Sequence, residues 1–198
     1  MEFSYSDEDG EFAVKTARNA VKNYLLKGDT GNFKFPEKFE RKSGVFTTIT
    51  SFPNNELRGC IGFPEPVMPL KDALIKSAIY AATEDPRFPP LEKYELEKVI
   101  FEVSLLTVPE LIKGKIPESV EIGKDGLIVE YGFYSGLLLP QVATEYSMDQ
   151  ETFLDQTCLK AGLSPGCWKN SNVKVYKFQA EIFKEEAPDG KIYRVVLK

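Results

Sequence analysis

The sequence predicts an α+β fold whose sheet is mostly antiparallel. Three observations carry that expectation. Segments rich in β-branched residues are joined by short Pro, Asn and Gly turns, which suits hairpins. Stretches with helical periodicity fall among them without strict β-α-β alternation. No repeat, low-complexity run or flexible linker breaks the 198 residues, and 42% apolar with 28% charged residues is an ordinary globular balance.

Taken in order, Ser6 is expected to start a helix, with acidic residues in its first turn facing the positive end of the helix dipole. Ala13, Ala17, Ala20, Val21, Tyr24 and Leu25 fall on one face, and Gly28 suits the residue just past the end. After a loop, G-V-F-T-T-I-T at 44 to 50 reads as a strand, P-N-N-E at 53 to 56 as a turn, and 57 to 63 as the returning strand of a hairpin. Gly59 and Gly62 mark a bulge or a close backbone approach there. Pro69 suits the first turn of a helix to about Thr83, with Leu70, Leu74, Ala78 and Ala81 inward. The three prolines of E-D-P-R-F-P-P-L, 84 to 91, then forbid regular structure.

Residues 99 to 106 read as a buried strand, and 120 to 131 as a segment with a tight hairpin turn at Asp125-Gly126. A further strand, G-L-L-L-P, leads to Gln141. Ser147 and Gln150 have capping-box spacing ahead of a helix to about Ala161, ended by Gly162. The tail predicts a long strand at 173 to 185, a P-D-G turn at 188 to 190 and a last strand at 192 to 197. In the long strand Tyr176, Phe178, Ala180 and Ile182 alternate with Lys177, Gln179 and Glu181, so one side should be dry and the other wet.

Composition excludes several classes. A net charge of −5 offers no basic surplus for phosphates, which argues against nucleic acid as a partner. No stretch approaches the roughly 18 to 20 apolar residues of a membrane span. The start, M-E-F-S-Y-S-D-E-D-G, lacks the apolar run of a signal peptide, so the expected setting is cytoplasmic and off the membrane. Cys60, Cys158 and Cys167 are odd in number and lack C-x-x-C spacing, which supports neither a disulfide framework nor a structural zinc site. No metal site is expected. The chain has no histidine, which removes Ser-His-Asp and Cys-His catalysis and a ready-made base near neutrality.

Four places carry candidate chemistry. In L-R-G-C-I-G, 57 to 62, glycines on both sides of Cys60 let the chain turn or let another molecule approach main-chain N–H groups. A reactive centre, an anion cradle and a tight corner all fit. Arg58, two residues away on the same strand face, is a cation that would lower a thiol pKa, or it pairs with a carboxylate instead. Glu102 stands among apolar neighbours in V-I-F-E-V-S-L-L, where an unpaired carboxylate is costly. A wet strand face explains it, and so does a general base with a raised pKa. Arg87, in rigid D-P-R-F-P-P, suits a structural clamp or the grip on a carboxylate or phosphate. Cys158 is read as core packing and Cys167 as a turn residue without a task. G-K-D-G, 123 to 126, lacks Walker spacing and reads as a hairpin tip.

Beyond these residues, the chain resembles the AMMECR-type domain family, that of the AMME syndrome candidate gene 1 protein. The resemblance rests on L-R-G-C-I-G at 57 to 62, D-P-R-F-P-P-L at 85 to 91, E-V-S-L-L at 102 to 106 and I-G-K-D-G-L at 122 to 127. It continues through G-L-L-L-P-Q-V-A at 136 to 143 and T-F-L-D-Q-T-C-L-K-A-G-L at 152 to 163. It implies one α+β domain over 1 to 198, made of two interleaved, unequal lobes around a cleft, the larger combining both ends of the chain. It raises the standing of Arg58, Gly59 and Cys60. With Gly62, Arg87 and Gln141 as contacts for substrate or partner, Cys60 and Glu102 become the catalytic candidates. Asp125 stands where many relatives carry histidine, which argues against proton transfer there. The family implies no particular reaction or cofactor. Association with Memo-type and radical-SAM proteins suggests a shared pathway.

Two functional readings follow. One is an enzyme acting on a small molecule at a cleft lined by the hexapeptide. The other is a non-catalytic module that binds a peptide, protein or ligand through the same residues. A third role, shaping the fold alone, is open to the hexapeptide as a whole.

Overall fold

The structure, a computed structural model, describes residues 5–196. The fold is α+β with antiparallel sheet, and the chain divides into two compact units. The first runs through Leu106 and takes in Glu181–Val196; the second is Thr107–Ala180.

In the first unit, helix α1 (Asp7–Lys27) begins at Ser6. The Ser6 hydroxyl accepts the Asp9 N–H while the Asp9 carboxylate accepts the Ser6 N–H, a reciprocal cap. Gly28, at φ 79°, ends it by donating its N–H to the Tyr24 carbonyl. Ala13, Ala17, Ala20 and Val21 are buried as expected, and Leu25 packs half-buried against the same core. Tyr24 departs from the expectation. It lies at the rim of the apolar stripe in the last turn and stays 40% exposed, which an amphipathic ring tolerates.

Strands β1 (Val45–Ser51) and β2 (Leu57–Phe63) form the antiparallel hairpin, and β3 (Val99–Leu106) pairs with the other side of β1. The hairpin's irregularity falls between Ile49 and Thr50, not at the glycines of β2. Helix α2 (Leu70–Thr83) follows Pro69 and buries Leu70, Leu74, Ala78 and Ala81. Alternation along β1 and β3 turns Val45, Ile49, Phe101, Val103 and Leu105 into one core with the two helices. Each fully buried Leu or Phe there contributes about 1.5–3 kcal/mol. The opposite face of the sheet carries Thr48, Cys60 and Glu102.

Strand β7 (Lys174–Glu185) starts in the second unit and ends in the first, where β8 (Ile192–Val195) pairs with its last residues. The expected alternation along it fails at Phe183 and Glu185, both buried. Phe183 packs over Gly10 of α1, and Glu185 meets Arg18 of the same helix, so what would be the wet side is covered. Leu197, the expected end of the last strand, lies outside the described residues.

The second unit pairs β7 with β4 (Glu110–Leu111) and with β5 (Asp125–Tyr131), which pairs with β6 (Tyr134–Leu138). Leu127, Val129, Phe153, Leu154, Trp168 and Val175 make its core. Asp125-Gly126 is not the hairpin tip. It opens β5, and the chain reverses at Gly132-Phe133, closed by the pair Tyr131 and Tyr134. The reason is burial: the Asp125 carboxylate accepts the Glu121 N–H and a Gln179 amide N–H. A short helix α3 (Pro140–Glu145), absent from the sequence expectation, follows β6. Helix α4 (Gln150–Lys160) is capped by Asp149, which accepts the Thr152 N–H, and not by Ser147, which sits at φ 49°. Among the described residues, no helix is long and apolar enough to cross a membrane.

Candidate functional site

The hexapeptide lies on β2, whose outward edge is met by the D-P-R loop. The Cys60 N–H donates to Asp85 Oδ2 at 2.8 Å, and Arg87 Nη2 reaches the Cys60 carbonyl at 3.5 Å. Both main-chain groups of Cys60 thus point away from β1. In an antiparallel pair this makes Cys60 and Thr48, its register partner, a non-hydrogen-bonded pair, the class with the closer side chains. Thr48 Oγ1 accordingly lies 3.2 Å from Cys60 Sγ.

Asp85 and Arg87 act together as a surrogate strand on an otherwise open edge. Arg87 donates from Nε (2.9 Å) and Nη2 (2.7 Å) to the two Asp85 oxygens, and its main-chain N–H adds a third bond. The guanidinium holds the buried Asp85 carboxyl far below the usual carboxylate range despite burial, and the Cys60 N–H helps. Arg87 is pushed up in turn by its bonds to Asp85. More than half of the Arg87 side chain is exposed, at 54%, beside Cys60.

Arg58 does something else. Its Nε and Nη2 grip Glu95 at 2.8 and 3.0 Å, and Nη1 and Nη2 donate to the carbonyls of Pro89 and Pro90. Burial would raise Glu95, but Arg58 outweighs it and the carboxyl lies below its ordinary value. Arg58 therefore pins the proline segment, and its guanidinium makes no hydrogen bond to Cys60. The glycines are also occupied. A Cβ on Gly59 would sit 1.9 Å from the Ala81 carbonyl oxygen at the end of α2, and one on Gly62 would sit 2.2 Å from the Phe46 ring. Glycine is required at both places by close packing, and neither leaves an opening over the backbone.

Across the sheet, Thr48 of β1 is in register with Cys60 of β2 and with Glu102 of β3. Lys184, from the end of β7, brings its ammonium to 3.9 Å from Glu102. A thiol, a hydroxyl, a carboxylate and an ammonium thus stand in one transverse row, all half-buried. Strand spacing puts thiol and carboxylate about 10 Å apart. Burial pushes the Glu102 carboxyl up, and Lys184 pulls it part of the way back. Thr48 and Lys184 were not singled out from the sequence. Their signal exists only in the strand register.

In the second unit, Gln141 opens α3 with a buried Oε1 that has no hydrogen-bond partner among the described residues. Cys158 is fully buried in the second unit's core, as expected. It also forms a disulfide with Cys167, with Cα atoms 6.0 Å apart, contrary to the reading that the cysteines support no disulfide and that Cys167 is without a task. Asp155 reinforces the link, its Oδ1 accepting N–H groups from Gly166 and the Trp168 indole, both at 2.7 Å. The nine-residue separation showed no recognisable spacing; the Pro-Gly turn that folds Cys167 back onto α4 was the available clue. Among the described residues, no cluster of His, Cys, Asp and Glu could hold a metal ion.

Fold and site together define an α+β protein in which a thiol-bearing edge strand is clamped by an Asp-Pro-Arg loop. The chain belongs to the AMMECR1 family, whose model matches residues 14–183. It is 52% identical over 189 residues to protein MJ0810 of Methanocaldococcus jannaschii, spanning 93% of this chain and 94% of the relative. Protein PH0010 of Pyrococcus horikoshii is 52% identical over 203 residues, covering 98% of each. The crystal structure of uncharacterized protein PH0010 matches with a TM-score of 0.85 and 51% identity, over 98% of this chain and 100% of that one.

Proposed function

We propose that the protein is an enzyme that acts on a small electrophilic substrate at the transverse row, with Cys60 as nucleophile and Glu102 as general base. The observation that supports this reading is the shared register of Cys60, Thr48 and Glu102 on one face. Burial raises Glu102, and a carboxylate with a raised pKa is a stronger base than an exposed one. The thiol proton passes to Glu102 by way of the Thr48 hydroxyl and a water or substrate group that spans the remaining gap. The thiolate then adds to a carbonyl carbon of the substrate. The C–S bond forms as the C=O π pair moves onto oxygen, which takes the proton back from Glu102. The adduct is a neutral hemithioacetal, and no group leaves. Lys184 and the exposed edge of Arg87 supply positive charge for an anionic group on the substrate.

A second reading, a binding module without catalysis, is favoured by one specific observation. Arg58, Gly59 and Gly62 are each engaged in holding the fold together. In that reading Cys60 is merely a small side chain in a ligand-facing row.

Cys60 is the single free thiol, so iodoacetamide without reductant reports on it alone. The enzyme reading expects alkylation at neutral pH to be faster than for an ordinary thiol, and Glu102→Gln to slow it about tenfold. A rate that follows an unperturbed thiol titrating near 8.5, unchanged in Glu102→Gln, removes the nucleophile and leaves the binding module.

A further inference from the structure

The second unit holds a cavity of about 710 Å³ that takes no part in the row described above. That volume falls in the usual range of small-molecule sites, about 300–1,000 Å³. Its apolar surface comes from Ile112, Ile116, Val173 and the Trp168 ring. Trp168 is itself a rigid wall. Its indole N–H is fixed by Asp155, and the disulfide at the preceding residue ties its turn to α4.

The charges around this cavity are not equivalent. Lys115 and Glu118 satisfy one another at 2.9 Å. Glu151 and Lys169 also line the cavity, and neither has an ion-pair partner among the described residues. The Lys169 ammonium rests 4.8 Å from the centre of the Trp168 ring. The cavity therefore combines an apolar, aromatic surface with one carboxylate and one ammonium that are outside any ion pair among the described residues. The complement of that arrangement is a zwitterion with an apolar body.

We infer that this cavity is a binding site for a zwitterionic ligand with an apolar or aromatic side chain, of the amino-acid or short-peptide class. The ligand's ammonium faces Glu151, its carboxylate faces Lys169, and its side chain lies against Trp168, Ile112 and Ile116. Asn170 and Ser171 at the rim supply further hydrogen bonds. Because the two charges lie at a wet rim, binding is modest and weakens with salt.

The chain contains a single tryptophan, so its fluorescence reads this cavity directly. The probe is L-phenylalanine, titrated at low ionic strength into the intact protein. A saturable change in Trp168 emission is expected. Phenethylamine and 3-phenylpropionate, which each lack one charge, should bind at least fivefold more weakly. Glu151→Gln and Lys169→Gln should each weaken L-phenylalanine about fivefold; both residues are exposed, so the variants should fold. Cys60→Ser, in the other unit, should bind as the wild type does. Absence of a saturable signal up to tens of millimolar overturns the site. Equal binding of the singly charged analogues, or unchanged binding by both charge variants, overturns the zwitterion.

Discussion

The two units fasten their irregular segments by different chemistry. In the first, charged side chains reach main-chain groups across long loops. Arg18 donates to the carbonyls of Leu96 and Val99 while pairing with Glu185, Arg58 holds Pro89 and Pro90, and Asp85 takes the Cys60 N–H. In the second, a covalent bond between Cys158 and Cys167 does the equivalent work, helped by Asp155. Each unit is therefore vulnerable to a different insult. Charge clamps respond to pH and to loss of either partner, whereas a crosslink responds to reductant.

The largest break in this contrast should come from Arg18→Met. It leaves Glu185, only 2% exposed, as a buried carboxylate without its cation, at a cost of about 3–5 kcal/mol in urea unfolding. The double variant Arg18→Met with Glu185→Leu should recover only part of that loss: no charge is then stranded, but the Phe101 N–H and the Leu96 and Val99 carbonyls still lose their partners. Reducing the disulfide, or Cys158→Ser, should cost about 2–3 kcal/mol through loop-closure entropy. It should also shift Trp168 emission, which Arg18→Met should leave unchanged.

Asp85→Asn should cost about 2 kcal/mol at pH 7, since it weakens charge-assisted bonds to Arg87 and to the Cys60 N–H. The folded Asp85 value lies below its unfolded one, so its contribution is complete above about pH 4 and fades as pH falls toward the folded value. The gap between wild type and Asp85→Asn should therefore narrow in denaturation series run below pH 4.

Glu102→Gln should have the smallest effect, under about 1 kcal/mol. The folded Glu102 value is raised, so the wild type is relatively favoured below about pH 4.3 and loses ground as pH rises through the folded value. Glu102→Gln should lack that loss and equal or slightly exceed wild-type stability at pH 7. A large destabilisation would instead mean that the Lys184 contact holds this face together.

Much of the architecture was legible in short windows of sequence. Ser6, Asp9 and Gly28 announce both ends of α1, and Pro69 announces α2, because caps act within one helical turn. The reading went astray where burial overruled local preference. Asp125-Gly126 has the chemistry of a turn, yet its carboxylate is taken inside by Gln179, and the reversal moves to Gly132-Phe133. Ser147 has the spacing of a cap, but Asp149 stands closer to the helix and takes the role. For the site, Cys60 and Glu102 could be picked out as unusual residues. That Thr48 stands between them could not, since a pairing register depends on how two strands meet.

The fold class, the order of most elements and the apolar faces of α1 and α2 were already written in the residues. These follow from propensities and periodicities that operate over a few neighbouring residues. Which partner each charge meets and why Gly59 must be glycine emerged only with the folded chain. Arg18 and Glu185 are 167 residues apart and Cys60 and Asp85 are 25 apart. No local preference reaches that far; such contacts form only when chain closure brings buried polar groups together and leaves them no water to bind.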